Sequence, residues 1–327
     1  MFLPLKLLCT GKAVPPGIVS SSELDRRLGL AAGTVFDRSG VVQRHYAGAA
    51  QSQSALAADA LRDAFARGDV DPGSIDLLLS AAAVPEQALP STAARILDEL
   101  ELGAGTPGFD VDASCIGFLA ALQVAAALLH AGAYRRIAIV ASDLASRGLD
   151  FADPESSLIL GDGAAAAIVE RGDGRAGIRA ARLQTWPEGK ALCEIRAGGT
   201  RLTPDTGAVA ADFKFRMNGK GVFRLASQVI EPFLDGLFRE AGLAREDVDV
   251  IVPHQASHLA MKHVRKRLGL REDRVVDIYA THGNQVAASM PTALHEAATT
   301  GRLRPGAHAL LLGSAAGLTI GGLVLAL

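Results

Sequence analysis

The chain has 327 residues, 49% of them hydrophobic and only 5% aromatic, with a formal net charge of -2. That length allows one large domain or two fused ones, and the balanced charge supplies no global field for nucleic acid or an anionic membrane surface. No apolar run reaches the roughly 20 residues of a membrane span, and three scattered cysteines, Cys9, Cys115 and Cys193, argue against a disulfide framework or a Cys-rich metal site. Reduced thiols in a cytoplasmic protein are the expectation.

In chain order, the apolar start lacks a basic n-region and a cleavage site, so Leu3 to Thr10 reads as a first strand and not as a signal peptide. Ser20 to Ser22 offer hydroxyl caps for a short helix, Glu23 to Leu28. A turn and strand follow over Arg38 to Tyr46, then a helix over Ser52 to Arg67 with apolar Leu56, Ala60, Leu61 and Phe65. The nearly continuous apolar run Ile75 to Ala83 fits a strand buried on both faces. Leu89 to Thr92 leads into a helix, Ala93 to Leu102. Phe109 to Asp112 ends a strand, and from Ile116 an Ala/Leu-rich helix runs to about Ala131, stopped by Gly132. Buried strands follow at Arg136 to Ser142 and within Ile159 to Glu170.

The second half repeats this order: a helix over Gly221 to Ala241, a strand at Val248 to Pro253, a helix over Ala256 to Leu268 and a strand at Val275 to Tyr279. The turn Thr281 to Asn284, a helix over Val286 to Thr299, a strand at Ala309 to Leu312 and a last strand at Thr319 to Leu325 complete it. Asp76-Leu-Leu-Leu aligns with Asp249-Val-Ile-Val, Phe109-Asp110 with Val276-Asp277, and Arg136-Ile-Ala-Ile with Ala307-His-Ala-Leu, at a near-constant offset. The pattern predicts an α/β chain built by duplication, with its seam in the polar Arg171 to Gly177 segment. Residues 1–172 and 173–327 are the predicted halves. Chance likeness between generic β/α units is the alternative.

Cys115 falls at a strand-to-helix junction, where unpaired amides and the helix dipole favour a thiolate. Buried free cysteine is the bland alternative. His254 directly follows an apolar strand, Asn284 closes a tight turn before a helix, and Leu312 to Thr319 forms a small-residue turn whose amides can approach a ligand. Each alone could be a cap or a packing residue. Together, in related positions of two duplicated halves, they point to a thiolate acyl-transfer site at strand ends. A papain-like reading fails because Ala113-Ser114-Cys115-Ile116 lacks the Cys-Gly-Ser/Ala-Cys context. An α/β-hydrolase elbow fails because only Gly117 of Gly-x-Cys-x-Gly is present. No Gly-x-Gly-x-x-Gly follows the first strand, and the glutamate of a metalloprotease helix is replaced by Gln255, so neither a dinucleotide cofactor nor a metal is expected.

Nearly the whole chain resembles the thiolase superfamily, and most closely the β-ketoacyl-acyl carrier protein synthase III family. The motifs that carry the resemblance are Arg38-Ser-Gly-Val-x-x-Arg44-His45, Leu89-Pro90-Ser91-Thr92, Asp110-Val-x-x-x-Cys115-x-Gly117-Phe118 and Gly161-Asp162-Gly163-Ala164, with Val252-Pro253-His254-Gln255-Ala256, His282-Gly283-Asn284-x-x-Ala287-Ala288-Ser289-x-Pro291 and Pro305-Gly306. The resemblance implies a duplicated five-layer αβαβα fold, a homodimer, and a triad of Cys115, His254 and Asn284. It also implies decarboxylative condensation of an acyl thioester with a malonyl thioester through an acyl-Cys115 intermediate. The amides of Cys115 and Ala316 would form the oxyanion hole. Arg38 and Phe223 fall on substrate-channel positions, and Leu89, Ser314 and Leu318 are candidate pocket walls. The basic stretch Lys262, Arg265, Lys266 and Arg267 would dock an acidic acyl carrier protein, or is a solvated helix face.

The departures lie where the family holds coenzyme A. Thr34 stands in place of a stacking Trp, and the sole Trp, Trp186, lies elsewhere. Pro154-Glu155 replaces an Arg-Gly pair, Leu259 an Arg, and Ser314-Ala315-Ala316-Gly317 a Phe and three glycines. Donor choice and acyl pocket are therefore expected to differ. The competing readings are a specialised condensing enzyme or acyltransferase of secondary metabolism, and a non-catalytic acyl-binding subunit.

Overall fold

The computed structural model describes residues 2–102, 105–267, 269 and 271–327, with only the backbone of 263–267. Two five-stranded mixed sheets form its frame. One runs in the order Lys6–Ala13, Gly163–Glu170, Arg136–Asp143, Leu77–Ser80, Gly108–Asp110. The other runs Leu3–Pro4, Gly177–Thr185, Thr319–Ala326, His308–Ala315, Val250–Pro253. Setting Leu3–Pro4 aside, the second order repeats the first four strands of the first, with the same parallel and antiparallel pairings, and Gly108–Asp110 has no counterpart strand. Small details repeat as well. Asp76 accepts the amide of Arg136 and Asp249 accepts that of His308, so each carboxylate pins the start of the neighbouring parallel strand.

Two helices, Gly117–His130 and Ser289–Thr299, lie between the sheets. Both are buried around most of their circumference, as a helix covered on two sides must be. Phe118, Leu122 and Leu129 of one and Met290 and Leu294 of the other share a core with Leu79 and Ile139 of the first sheet and Val252, Leu311 and Leu323 of the second. Burying a side chain such as Phe118 contributes about 1.5–3 kcal/mol. Alanine-rich faces let sheet and helix approach closely: Ala164, Ala165, Ala166 and Ala167 are all fully buried.

Outer helices close the remaining faces, giving five layers. Gln53–Gly68, capped by the Ser52 hydroxyl, and Thr92–Glu99, capped by Ser91, cover the first sheet with Leu56, Leu61, Phe65 and Ile96. Gly219–Ala241 covers the second with Phe233, Leu234 and Leu237. His258–Arg267 adds Met261 to the same core. The fold is thus the expected duplicated α/β sandwich. Among the described residues no helix is long and apolar enough to cross a membrane.

Several elements depart from the sequence reading. The first strand divides at Leu5, and its two parts join different sheets. A short helix, Thr34–Ser39, precedes the Gln43–Tyr46 strand. The strand Gly177–Thr185 was not foreseen; it continues directly from the polar seam. Val275 to Tyr279 is not a strand. Only Val275 bridges Ile251, and Tyr279–His282 is a helical turn. The Gln255 side chain explains this: its amide donates to Pro253 O and Val276 O and accepts from Ile278 N–H, taking the groups a strand ladder would use.

Gly117 opens the buried helix against the first sheet, and a Cβ there would lie 2.5 Å from Ala81 O. Gly117→Ala should therefore destabilise the fold by about 1–3 kcal/mol, read as a lowered thermal midpoint; an unchanged midpoint would show that the junction yields freely.

Candidate active site

The two buried helices start in the same way. Ser114–Ile116 and Val286–Ala288 are single 3-10 turns that lead into Gly117–His130 and Ser289–Thr299. Each turn opens on a non-glycine residue with positive φ, Ser114 at 49° and Val286 at 54°. A β-branched residue there is a costly conformation, of a kind that concentrates at functional sites. In each half a side chain two residues earlier supplies the compensation. Asp112 Oδ1 accepts from Ser114 N–H at 2.9 Å, and Asn284 Oδ1 accepts from Val286 N–H at 2.8 Å. Asn284 is therefore the counterpart of Asp112, and Cys115 sits in the turn itself.

Cys115 is half-buried at the head of its helix. Burial pushes its thiol up to about 12, with Cys193 and Asp143 adding to the rise, while the amides of Ala316 and of Cys115 itself favour the thiolate. Both amides belong to the backbone around the thiol. Ala316 is brought there by the hairpin in which Ala315 pairs with Thr319, so the strand extends further into the small-residue run than the sequence indicates.

His254 is the first residue beyond the Val250–Pro253 strand, and its N–H donates to Leu312 O at 2.8 Å. Gly313 makes room for it. A Cβ at Gly313 would lie 2.8 Å from His254 Cβ and 3.0 Å from Ile116 Cγ2, so one glycine separates the His254 loop from the Cys115 turn. His254 is buried and its Nδ1 has no partner among the described residues. Burial lowers its pKa to about 4, so the ring is neutral at physiological pH. Asn284 is joined to this loop through Nδ2, which donates to Ala256 O at 3.1 Å, and to the first half through its backbone, which pairs with Leu160. One of the two amide hydrogens is left for a ligand.

A cavity of about 600 Å3 leads to His254. Arg38, Phe223 and Ser314, named from the sequence, line it with His254. Leu89 and Leu318 do not. Leu89 is 83% exposed on a loop, and Leu318 is buried with its backbone paired to Trp186. Trp186 packs into the second outer core. Lys262 is exposed on the His258–Arg267 helix; the side chains of Arg265, Lys266 and Arg267 lie outside the described residues.

Sequence reasoning passed over Asp143. It ends the Arg136–Asp143 strand, is buried, and accepts the amides of Ala83 and Ala287, each at 3.0 Å. It thus ties the turn after Asn284 to the first sheet. Burial pushes its carboxyl up to about 8 against the pull of those amides. An acid at the end of an otherwise apolar strand was the available signal.

The fold is that of the thiolase-like condensing enzymes. The family described as 3-oxoacyl-[acyl-carrier-protein (ACP)] synthase III matches residues 109–187, and its C-terminal counterpart matches 238–327. A β-ketoacyl-[acyl-carrier-protein] synthase III of Neisseria meningitidis is 33% identical over 320 residues, 98% of either chain. One of Syntrophomonas wolfei is 31% identical over 325 residues, 99% of this chain and 97% of that one. The crystal structure of the Pseudomonas aeruginosa 3-oxoacyl-(acyl carrier protein) synthase III superposes with a TM-score of 0.88 at 30% identity, covering 99% of this chain and 98% of that one. The chain belongs to the β-ketoacyl-acyl carrier protein synthase III family of acyltransferases.

Two histidines, buried His254 and half-buried His282, set an acid limit. His254 and His282 are both lowered by burial to about 4, and Lys12 and His45 add to the effect at His282. In the unfolded chain they take up protons near pH 6.5. Their contribution is complete above that value and lost as the pH falls toward 4. Asp143 has the opposite sign: its contribution is complete below about pH 4 and is lost as the pH rises toward 8. The thermal midpoint should therefore fall between pH 6.5 and 4, and His282→Gln should flatten that limb. A midpoint independent of pH across this window would contradict the neutral state of these two rings.

Proposed function

We propose that the protein catalyses decarboxylative condensation of an acyl thioester with a malonyl thioester, as in the first elongation step of fatty acid synthesis. The observation that carries this reading is the close approach of the Cys115 turn, across Gly313, to the loop of a neutral, buried His254 that is tied to Asn284.

Cys115 attacks the acyl thioester, and the amides of Cys115 and Ala316 receive the charge that develops on the carbonyl oxygen. Collapse forms acyl-Cys115; the thiol proton leaves with the departing carrier as its free thiol. A malonyl thioester then enters. His254 and Asn284 donate hydrogen bonds to its thioester carbonyl, loss of CO2 gives a stabilised enolate, and the enolate carbon attacks acyl-Cys115. The β-ketoacyl thioester forms as Cys115 leaves as a thiolate, and the high thiol pKa ensures that it takes up a proton. Decarboxylation needs donors and no general base, so a neutral histidine and an asparagine suit it better than a His–Asp pair would.

Residues 1–172 bring Cys115 and residues 173–327 bring His254 and Asn284, as the two units of the duplication. Acyl carrier protein is the macromolecular partner of this reading, with Lys262 on the helix that would meet it. A homodimer is part of it too. The edge strand Gly108–Asp110 with its exposed Phe109, and the exposed Leu89 and Val84, support pairing with a second copy.

Cys115→Ser should abolish acylation seen as an acyl mass increment on the intact protein. His254→Ala should keep that increment and lose condensation by about 100-fold or more. Loss of acylation alone in His254→Ala would reverse the assignment of roles.

A further inference from the structure

The charged groups of the His254 cavity lie at its exposed end. Arg38, Glu155 and Lys220 are exposed, whereas His254 and Leu312 are buried. The 23-residue helix Gly219–Ala241 begins at this mouth. The free amides of a helix N-terminus ordinarily make a ready site for phosphate. Here side chains have filled two of them. Gly221 N–H donates to Asn218 Oδ1 and Gly219 N–H to Glu155 Oε1, both at 2.8 Å. The second contact is possible because residue 219 has no side chain; a Cβ there would lie 2.7 Å from Glu155 Oε1. A carboxylate therefore occupies the place an anionic ligand would seek.

We infer that Glu155 sets the carrier preference of the acyl-loading step. It selects against a thioester arm that ends in the several phosphates of a nucleotide, and leaves Arg38 and Lys220 to meet the single phosphodiester of a carrier-protein arm. The inference rests on the reading of Cys115 as the acyl-carrying nucleophile. A carrier-protein arm brings one negative charge to the mouth; a coenzyme A arm brings roughly four at neutral pH, because its phosphomonoester is largely dianionic. The two cations balance the first. They do not balance the second, which also meets the Glu155 carboxylate where the helix would otherwise have attracted it.

Three donors separate the effects: acetyl-CoA with roughly four charges, acetyl-4′-phosphopantetheine with one phosphate of about two charges and no nucleotide, and uncharged acetyl-pantetheine. The readout is the second-order rate of Cys115 acetylation, followed by intact mass at low and high salt. The wild-type protein should favour acetyl-4′-phosphopantetheine over acetyl-CoA by about fivefold or more at low salt, less at high salt. Glu155→Gln should narrow that ratio severalfold. Equal use of the two phosphorylated donors by the wild type would overturn the inference. So would a Glu155→Gln effect that lowers all three rates alike, which is what a helix cap alone would give. Acetylation from none of the three would overturn the nucleophile reading itself, whereas normal acetylation from acetyl-pantetheine keeps that reading and confines any failure to carrier choice.

Discussion

Two backbone turns with positive φ, each held by a side-chain oxygen on the amide two residues ahead, launch the two helices buried between the sheets. Much of the rest depends on them. A helix sealed between two sheets can expose only its ends, so chemistry is confined to the layer edge where both helices begin. The Asp112–Ser114 turn brings Cys115 to that edge. The Asn284–Val286 turn brings Asn284 there, with its carboxamide already fixed at Oδ1 by the turn it supports. In the proposed reaction one duplicated device would serve two tasks, carrying the acyl group in the first half and donating to the enolate in the second.

The electrostatics of the site follow from the same confinement. Burial raises Cys115 and lowers His254, so both groups rest uncharged. The charges of the reaction then develop only when substrate is present, against donors already in place. The amides of Cys115 and Ala316 are part of the backbone and need no reorganisation. Asp143 extends this economy to the frame: it holds the Ala83 and Ala287 amides together and so ties the second-half turn to the first sheet.

Much of this was legible in the sequence because it depends on local pattern. Continuous apolar runs gave the buried strands, Ser52 and Ser91 marked helix starts, and the repeated Asp76 and Asp249 revealed the duplication. The motif residues Cys115, His254 and Asn284 fall at element ends, where turn chemistry is readable. What was not legible depends on distant groups. Val275 to Tyr279 has strand composition, but the Gln255 side chain takes its ladder positions. Leu318 looks like a pocket wall, but it is buried where its backbone pairs with Trp186 and does not line the His254 cavity. The carboxylate of Glu155 is ordinary in sequence and gains meaning only when the Gly219 helix begins beside it.

The central claim is that acyl transfer to Cys115 is coupled to carbon–carbon bond formation. The most direct measurement supplies an acyl donor and a 13C-carboxyl-labelled malonyl thioester, and counts labelled CO2 against β-ketoacyl thioester. One CO2 for each product molecule, both lost in Asn284→Ala, is the result this account predicts. Acyl transfer to another acceptor without release of labelled CO2 would contradict it.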